Sequence, residues 1–118
     1  MIGIIPRPIH GVIDYLWSLA VAFAPDLFGF RDEPGAVAFH RAVGGGSTGM
    51  AVMTRYELGL IKVIPFNMHL TIDLLTALLM LAAPWLFGYA QNSKARAATL
   101  GFAVSELAVL AISKRDPQ

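Results

Sequence analysis

Apolar positions along this chain fall into four long runs, roughly residues 9–30, 35–54, 68–89 and 95–113, with most of the charge outside them, in the short connecting segments and at the chain ends. Each run approaches the ~20 residues that cross a ~30 Å hydrocarbon layer at a helical rise of 1.5 Å per residue. A soluble four-helix bundle needs a polar outer stripe on its helices, and the stretch from Leu74 to Phe87 offers none. The pattern therefore predicts four transmembrane helices.

The pattern is also written twice. The stretch from Ile5 to Gly29 aligns without an insertion on the stretch from Ile64 to Gly88: Pro6 matches Pro65, His10 matches His69, Asp14 matches Asp73 and Pro25 matches Pro84. Every pair is 59 positions apart in a chain of 118. The expected fold is all-α, a four-helix transmembrane bundle made of two tandem, pseudo-twofold-related helical hairpins. It forms a single membrane domain, 1–118, with repeat 1 at 1–59 and repeat 2 at 60–118. Two spans per repeat leave both copies facing the same way, so the axis relating them runs along the membrane normal.

Local signals refine the elements. Pro6 and Pro8 suit the start of a helix, where a missing backbone donor does no harm. Asn67 is read as the N-cap of the third span. Pro25 and Pro84 are expected to kink or loosen the last turns of spans one and three. Beyond them, Phe28, Phe30, Trp85, Phe87 and Tyr89 read as an aromatic belt at headgroup depth. The polar segments 31–35 and 91–94 are short turns between antiparallel neighbours. Ala38, Ala42 and Gly46 recur four apart and match Ala97, Gly101 and Ser105, which predicts a stripe of small residues for close helix contact, within the chain or between copies. The run Gly44 to Gly49 lacks the Lys-Ser/Thr of a phosphate loop and follows no strand, so nucleotide binding is not inferred. Residues 54–64 alternate charge with apolar bulk and read as a connection lying on the membrane surface. Arg55 and Glu57 match Lys114 and Asp116, which carries the repeat to the chain end.

Composition agrees with lipid as the solvent: 56% of residues are hydrophobic and 14% charged, and mean hydropathy is +0.61. The absence of cysteine removes disulfides, thiolate metal sites and thiol catalysis. The first apolar run carries the repeated motif, so it is read as part of the mature fold and not as a cleaved signal. Arg7, Arg55, Lys62, Lys114 and Arg115 share one side of a four-span topology, against Arg31, Lys94 and Arg96 on the other. The positive-inside bias then puts both termini in the cytoplasm.

Two copies of a two-span unit, with Ala24-Pro25-Asp26 and Ala83-Pro84-Trp85 each followed by Leu-Phe-Gly, resemble the SPW-repeat family of small bacterial membrane proteins. The segment Arg55-Tyr56-Glu57-Leu58-Gly59, then Ile64-Pro65, His69 and Asp73, resembles the connector and third span of its two-repeat members. Only the second copy keeps the tryptophan of the name motif, and neither keeps the serine. The resemblance implies a multi-pass helical protein of the bacterial cytoplasmic membrane. It implies no activity and supplies no site residues.

The candidate chemistry lies in His10 with Asp14 and His69 with Asp73. Each pair is four apart and so shares a helix face. If both faces turn to the axis, two imidazoles and two carboxylates converge one to two turns inside the boundary, where ionisable groups are costly and functional by default. Glu106, in the fourth span, can join them or pair with Arg41. His40 and Arg41 are read as snorkelling to the far interface. The plain structural alternative is that each His–Asp pair satisfies itself near a helix start.

No catalytic residue is assigned, since no nucleophile–base arrangement stands out. The expected function is a non-enzymatic structural or accessory membrane module. The alternative is an intramembrane site at His10, Asp14, His69, Asp73 and Glu106 for a small ligand, ion or proton. No cofactor is expected; a divalent metal on the two His–Asp pairs, or haem between His10 and His69, are its variants. A membrane enzyme using a His–Asp acid/base pair ranks last. The expected partners are the lipid bilayer and a homo-oligomer or larger membrane complex, and not nucleic acid.

Overall fold

A computed structural model describes residues 3–114. Four helices follow one another: α1 (Arg7–Leu27), α2 (Pro34–Val52), α3 (Phe66–Leu86) and α4 (Ser93–Ile112). They pack mainly as two pairs, α1 against α2 and α3 against α4, with lighter contact of α1 with α4 and of α2 with α3. At 19 to 21 residues and 1.5 Å per residue, each is about 30 Å long.

The two prolines sit inside the last turns of α1 and α3 without ending them. After each, a glycine at positive φ, Gly29 and Gly88, both at 75°, reverses the chain. Phe30 then donates its N–H to the Pro25 carbonyl at 3.1 Å, and Tyr89 donates to Pro84 at 2.8 Å. This is the glycine-terminated helix end in which a left-handed residue lets the chain double back onto its own last turn. Its consequence corrects the expected aromatic belt: Phe28, Trp85 and Phe87 are exposed, but Phe30 and Tyr89 are turned inward and buried.

One further expectation fails on local geometry, and a second is narrowed by it to contacts outside the chain's own helix pairs. Asn67 lies inside the first turn of α3, whose N-cap is Pro65 with no side-chain hydrogen bond. Proline's fixed φ starts the helix two residues earlier than a capping amide would. The stripe of Ala38, Ala42 and Gly46 and its match of Ala97, Gly101 and Ser105 are exposed. The faces that pack within the molecule carry Ala36, His40 and Gly44 on α2, and Ala95, Thr99 and Ala103 on α4. These sets are two positions earlier, and two positions turn a helix by about 200°. Gly44 faces the Ala22 backbone so closely that no Cβ fits, whereas the space beside Gly46 and Gly101 is open.

At the opposite end from the two turns, backbone bridges tie the pairs down. Arg55 donates to the Ile64 carbonyl at 2.7 Å, and Lys114 donates to Ile5 at 2.9 Å. Ile64 donates to Met53 and Ile5 donates to Ile112, both at 2.8 Å. Each bond has its partner 59 positions away in the sequence. Arg115 and Asp116 lie outside the described residues.

Two buried clusters fill the interior. One, near the turns, includes Val21, Phe30, Phe39, Met80 and Tyr89; the other, near the bridges, holds Ala51, Tyr56, Phe66, Leu70 and Leu110. Among the described residues, α3 and α4 are long and apolar enough to cross a membrane, by length and composition alone. α1, with Arg7, His10, Asp14 and Asp26, and α2, with His40, Arg41 and its glycines, do not meet that measure.

Candidate functional site

His10, Asp14, His69 and Asp73 meet between α1 and α3, near the helix ends that the bridges tie together. All four are buried, with exposures of 7% or less. His10 Nε2 stands 3.1 Å from Asp14 Oδ1 and 3.5 Å from Asp73 Oδ2; His69 Nε2 stands 2.9 Å from Asp14 Oδ2 and 3.1 Å from Asp73 Oδ2. Each imidazole thus faces both carboxylates, its own helix's and the other's. The two rings meet edge-on with centroids 5.7 Å apart, and Phe66 packs against both.

The far nitrogens are fixed by hydroxyls. Ser113 Oγ lies 2.8 Å from His10 Nδ1, and Thr54 Oγ1 lies 2.6 Å from His69 Nδ1. A hydroxyl has one hydrogen to give. Ser113 gives it to the Val109 carbonyl and Thr54 to the Met50 carbonyl, both at 2.6 Å. Each hydroxyl therefore accepts from the imidazole, and Nδ1 carries hydrogen in both rings.

Tyr56, from the connector between α2 and α3, closes the site over Asp14. Its hydroxyl donates to Asp14 Oδ2 at 3.1 Å and its ring is 2% exposed. Burial, and after it the Asp14 charge, hold this phenol well above its ordinary pKa, so it stays a donor. Gly11 makes room for the connector: a Cβ there would meet Leu58 Cδ1 at 2.8 Å and Tyr56 Cε2 at 3.2 Å. The connector is a lid on the interior as well as a surface segment.

Glu106 is 4% exposed and interacts electrostatically with all four members, while its Oε1 has no hydrogen-bond partner among the described residues. It is a third carboxyl beside the cluster, outside the four whose donor atoms lie within 4.8 Å of one another. Arg41 does not reach it. That guanidinium pairs with Asp26 at 2.8 Å and donates to the Ala22 carbonyl.

His40 departs from the sequence reading, being fully buried inside the helices instead of reaching outward. Pro25 has no N–H for the carbonyl four residues before it, and His40 Nδ1 lies 3.2 Å from that Val21 oxygen. Its Nε2 meets Thr99 Oγ1 at 2.8 Å, which also meets the Tyr89 hydroxyl at 2.9 Å.

Sequence reasoning missed Thr54, Ser113 and Tyr56. The first two carried a signal, since they are hydroxyl residues 59 apart at the ends of α2 and α4. Tyr56 carried none, for its match is Arg115. The donor set of two nitrogens and two carboxylate oxygens can hold a cation. Comparison of the chain with protein-family models, with curated proteins and with solved structures finds no match.

Proposed function

We propose that this chain is an integral membrane protein with four spans, a non-enzymatic module built around a buried polar centre that binds a small ligand. The observation that carries this reading is the inversion of polarity. Leu16 (66% exposed), Leu75 (61%), Trp85 (59%) and Val104 (60%) face outward, while His10, His69, Asp14, Asp73 and Glu106 are inside. In water this distribution forfeits the hydrophobic effect and desolvates charge at the same time. In a bilayer it is the expected one, since intramembrane ionisable groups face the bundle interior. The helix lengths fit the hydrocarbon thickness, and the resemblance to SPW-repeat proteins supports the same reading. So does the placement of Arg7, Arg55, Lys62 and Lys114 at one end, which favours cytoplasmic termini.

The hydroxyls at the centre support a binding role over a catalytic one. Ser113 and Thr54 accept from the imidazoles and give their own hydrogens to main-chain carbonyls, the reverse of the polarity that activates a nucleophile. The test is fractionation of expressing cells. The protein is expected to stay with membranes through an alkaline carbonate wash and to leave only with detergent. Release by alkali, or a detergent-free monomer in solution, overturns the membrane reading.

A further inference from the structure

We infer that His10, Asp14, His69 and Asp73 form a closed, four-coordinate site for a divalent first-row transition metal ion of the zinc type. This deepens the proposal above by naming the ligand, and it rests on the polar centre itself and not on the membrane.

Three observations carry it. The first is the direction of the lone pairs. Both Nδ1 atoms carry hydrogen, committed to Ser113 and Thr54, so in the neutral imidazole the Nε2 lone pair is the group that faces the carboxylates. Lone pairs facing carboxylate oxygens at 2.9 to 3.5 Å repel one another unless a proton or a metal ion stands between them.

The second is alignment. Despite those short separations, neither Nε2 has a hydrogen-bond partner among the described residues, and neither does Asp73 Oδ2. An imidazolium–carboxylate pair at this distance aims its N–H at the oxygen. Here neither Nε2 meets a carboxylate oxygen in that alignment. Ligands at 2.0–2.2 Å from a tetrahedral ion stand about 3.3–3.6 Å apart; the four observed approaches, 2.9 to 3.5 Å, reach the short end of that spacing within a set spanning no more than 4.8 Å.

The third is what surrounds the donors. Ligating histidines characteristically give their other N–H to an oxygen, and ligating carboxylates are themselves hydrogen-bonded. Ser113, Thr54 and the Tyr56 hydroxyl on Asp14 supply those contacts. Two carboxylates and one divalent ion also sum to zero charge, which a dry interior requires. Imidazole nitrogen selects zinc, cobalt or iron over magnesium and calcium. Four protein ligands leave no open position for substrate, which marks a structural and not a catalytic ion.

The experiment uses the full chain in detergent, stripped with chelator and titrated with Co2+. The visible absorption bands of four-coordinate Co2+ are expected, saturating at one ion per chain, displaced by Zn2+ and unaffected by excess Mg2+. His69→Gln is expected to abolish the bands. Should that variant fold poorly, Thr54→Val with Ser113→Ala leaves every ligand in place and is expected to weaken Co2+ binding about 10–100-fold at unchanged helical circular dichroism. No bands from a helical protein, bands that survive His69→Gln, or the pale spectrum of a six-coordinate ion displaced by Mg2+ each overturn the site. If the metal result fails while the protein resists alkaline extraction, the membrane reading stands alone. If Co2+ binds a chain that alkali releases, the site stands without the membrane.

Discussion

The two ends of this molecule use the same device and reach different outcomes. At both, residues 59 apart in sequence touch across the interior: His10 faces His69 at one end, and His40 meets Thr99 at the other. Where the matched residues are identical, like meets like. Two imidazoles and two carboxylates crowd together, and polar atoms of theirs remain without an aligned partner among the described residues. Where they differ, the polar groups close on themselves, His40 onto Thr99 and Val21, and Thr99 onto Tyr89 and the Ala95 carbonyl. Divergence at one matched pair yields a finished network; identity at the other leaves buried polar atoms without an aligned partner among the described residues.

The contrast breaks first at the crowded end. Asp14→Ala removes the carboxylate that faces both imidazoles and holds the Tyr56 hydroxyl, so it is expected to cost about 3–5 kcal/mol, the scale for stripping one partner from a buried ionic set. The measurement is the unfolding midpoint in detergent; a loss below about 1 kcal/mol would mean that the four groups are not coupled. Thr99→Val deletes the middle of the other network and leaves His40 Nε2 and the Tyr89 hydroxyl without their partner, at an expected cost of about 1–3 kcal/mol. A cost equal to that of Asp14→Ala would erase the distinction between the ends. The smallest effect belongs to Tyr89→Phe, which trims the outer end of that chain for about 0.5–1.5 kcal/mol.

Much of the fold was legible in the sequence because helix length and turn chemistry are local. The four runs of apolar residues fall within two or three residues of the four helices, and the turns after Gly29 and Gly88 follow from glycine and proline alone. The His–Asp spacing gave a shared helix face for the same reason. What stayed hidden depends on rotation and on distant chain. Small residues lie on both sides of α2 and α4, so their spacing could not say which side packs; Gly44 decides it by its approach to Ala22. Polarity placed His40 at the surface, but the carbonyl orphaned by Pro25 draws it inside. Tyr56 reaches Asp14 from 42 positions away, and no pattern in its own segment announces that.

The connector has a practical corollary for anyone who wishes to label or cut this molecule. Gly59 sits against the Thr54 carbonyl with no space for a side chain, Thr54 holds His69, and Tyr56 holds Asp14. An epitope or protease site inserted there would pull on both halves of the centre through residues two positions apart. The turn at Asp32 is exposed and remote from the cluster, so a fluorophore grafted to it would report on the protein with the interior left as it was.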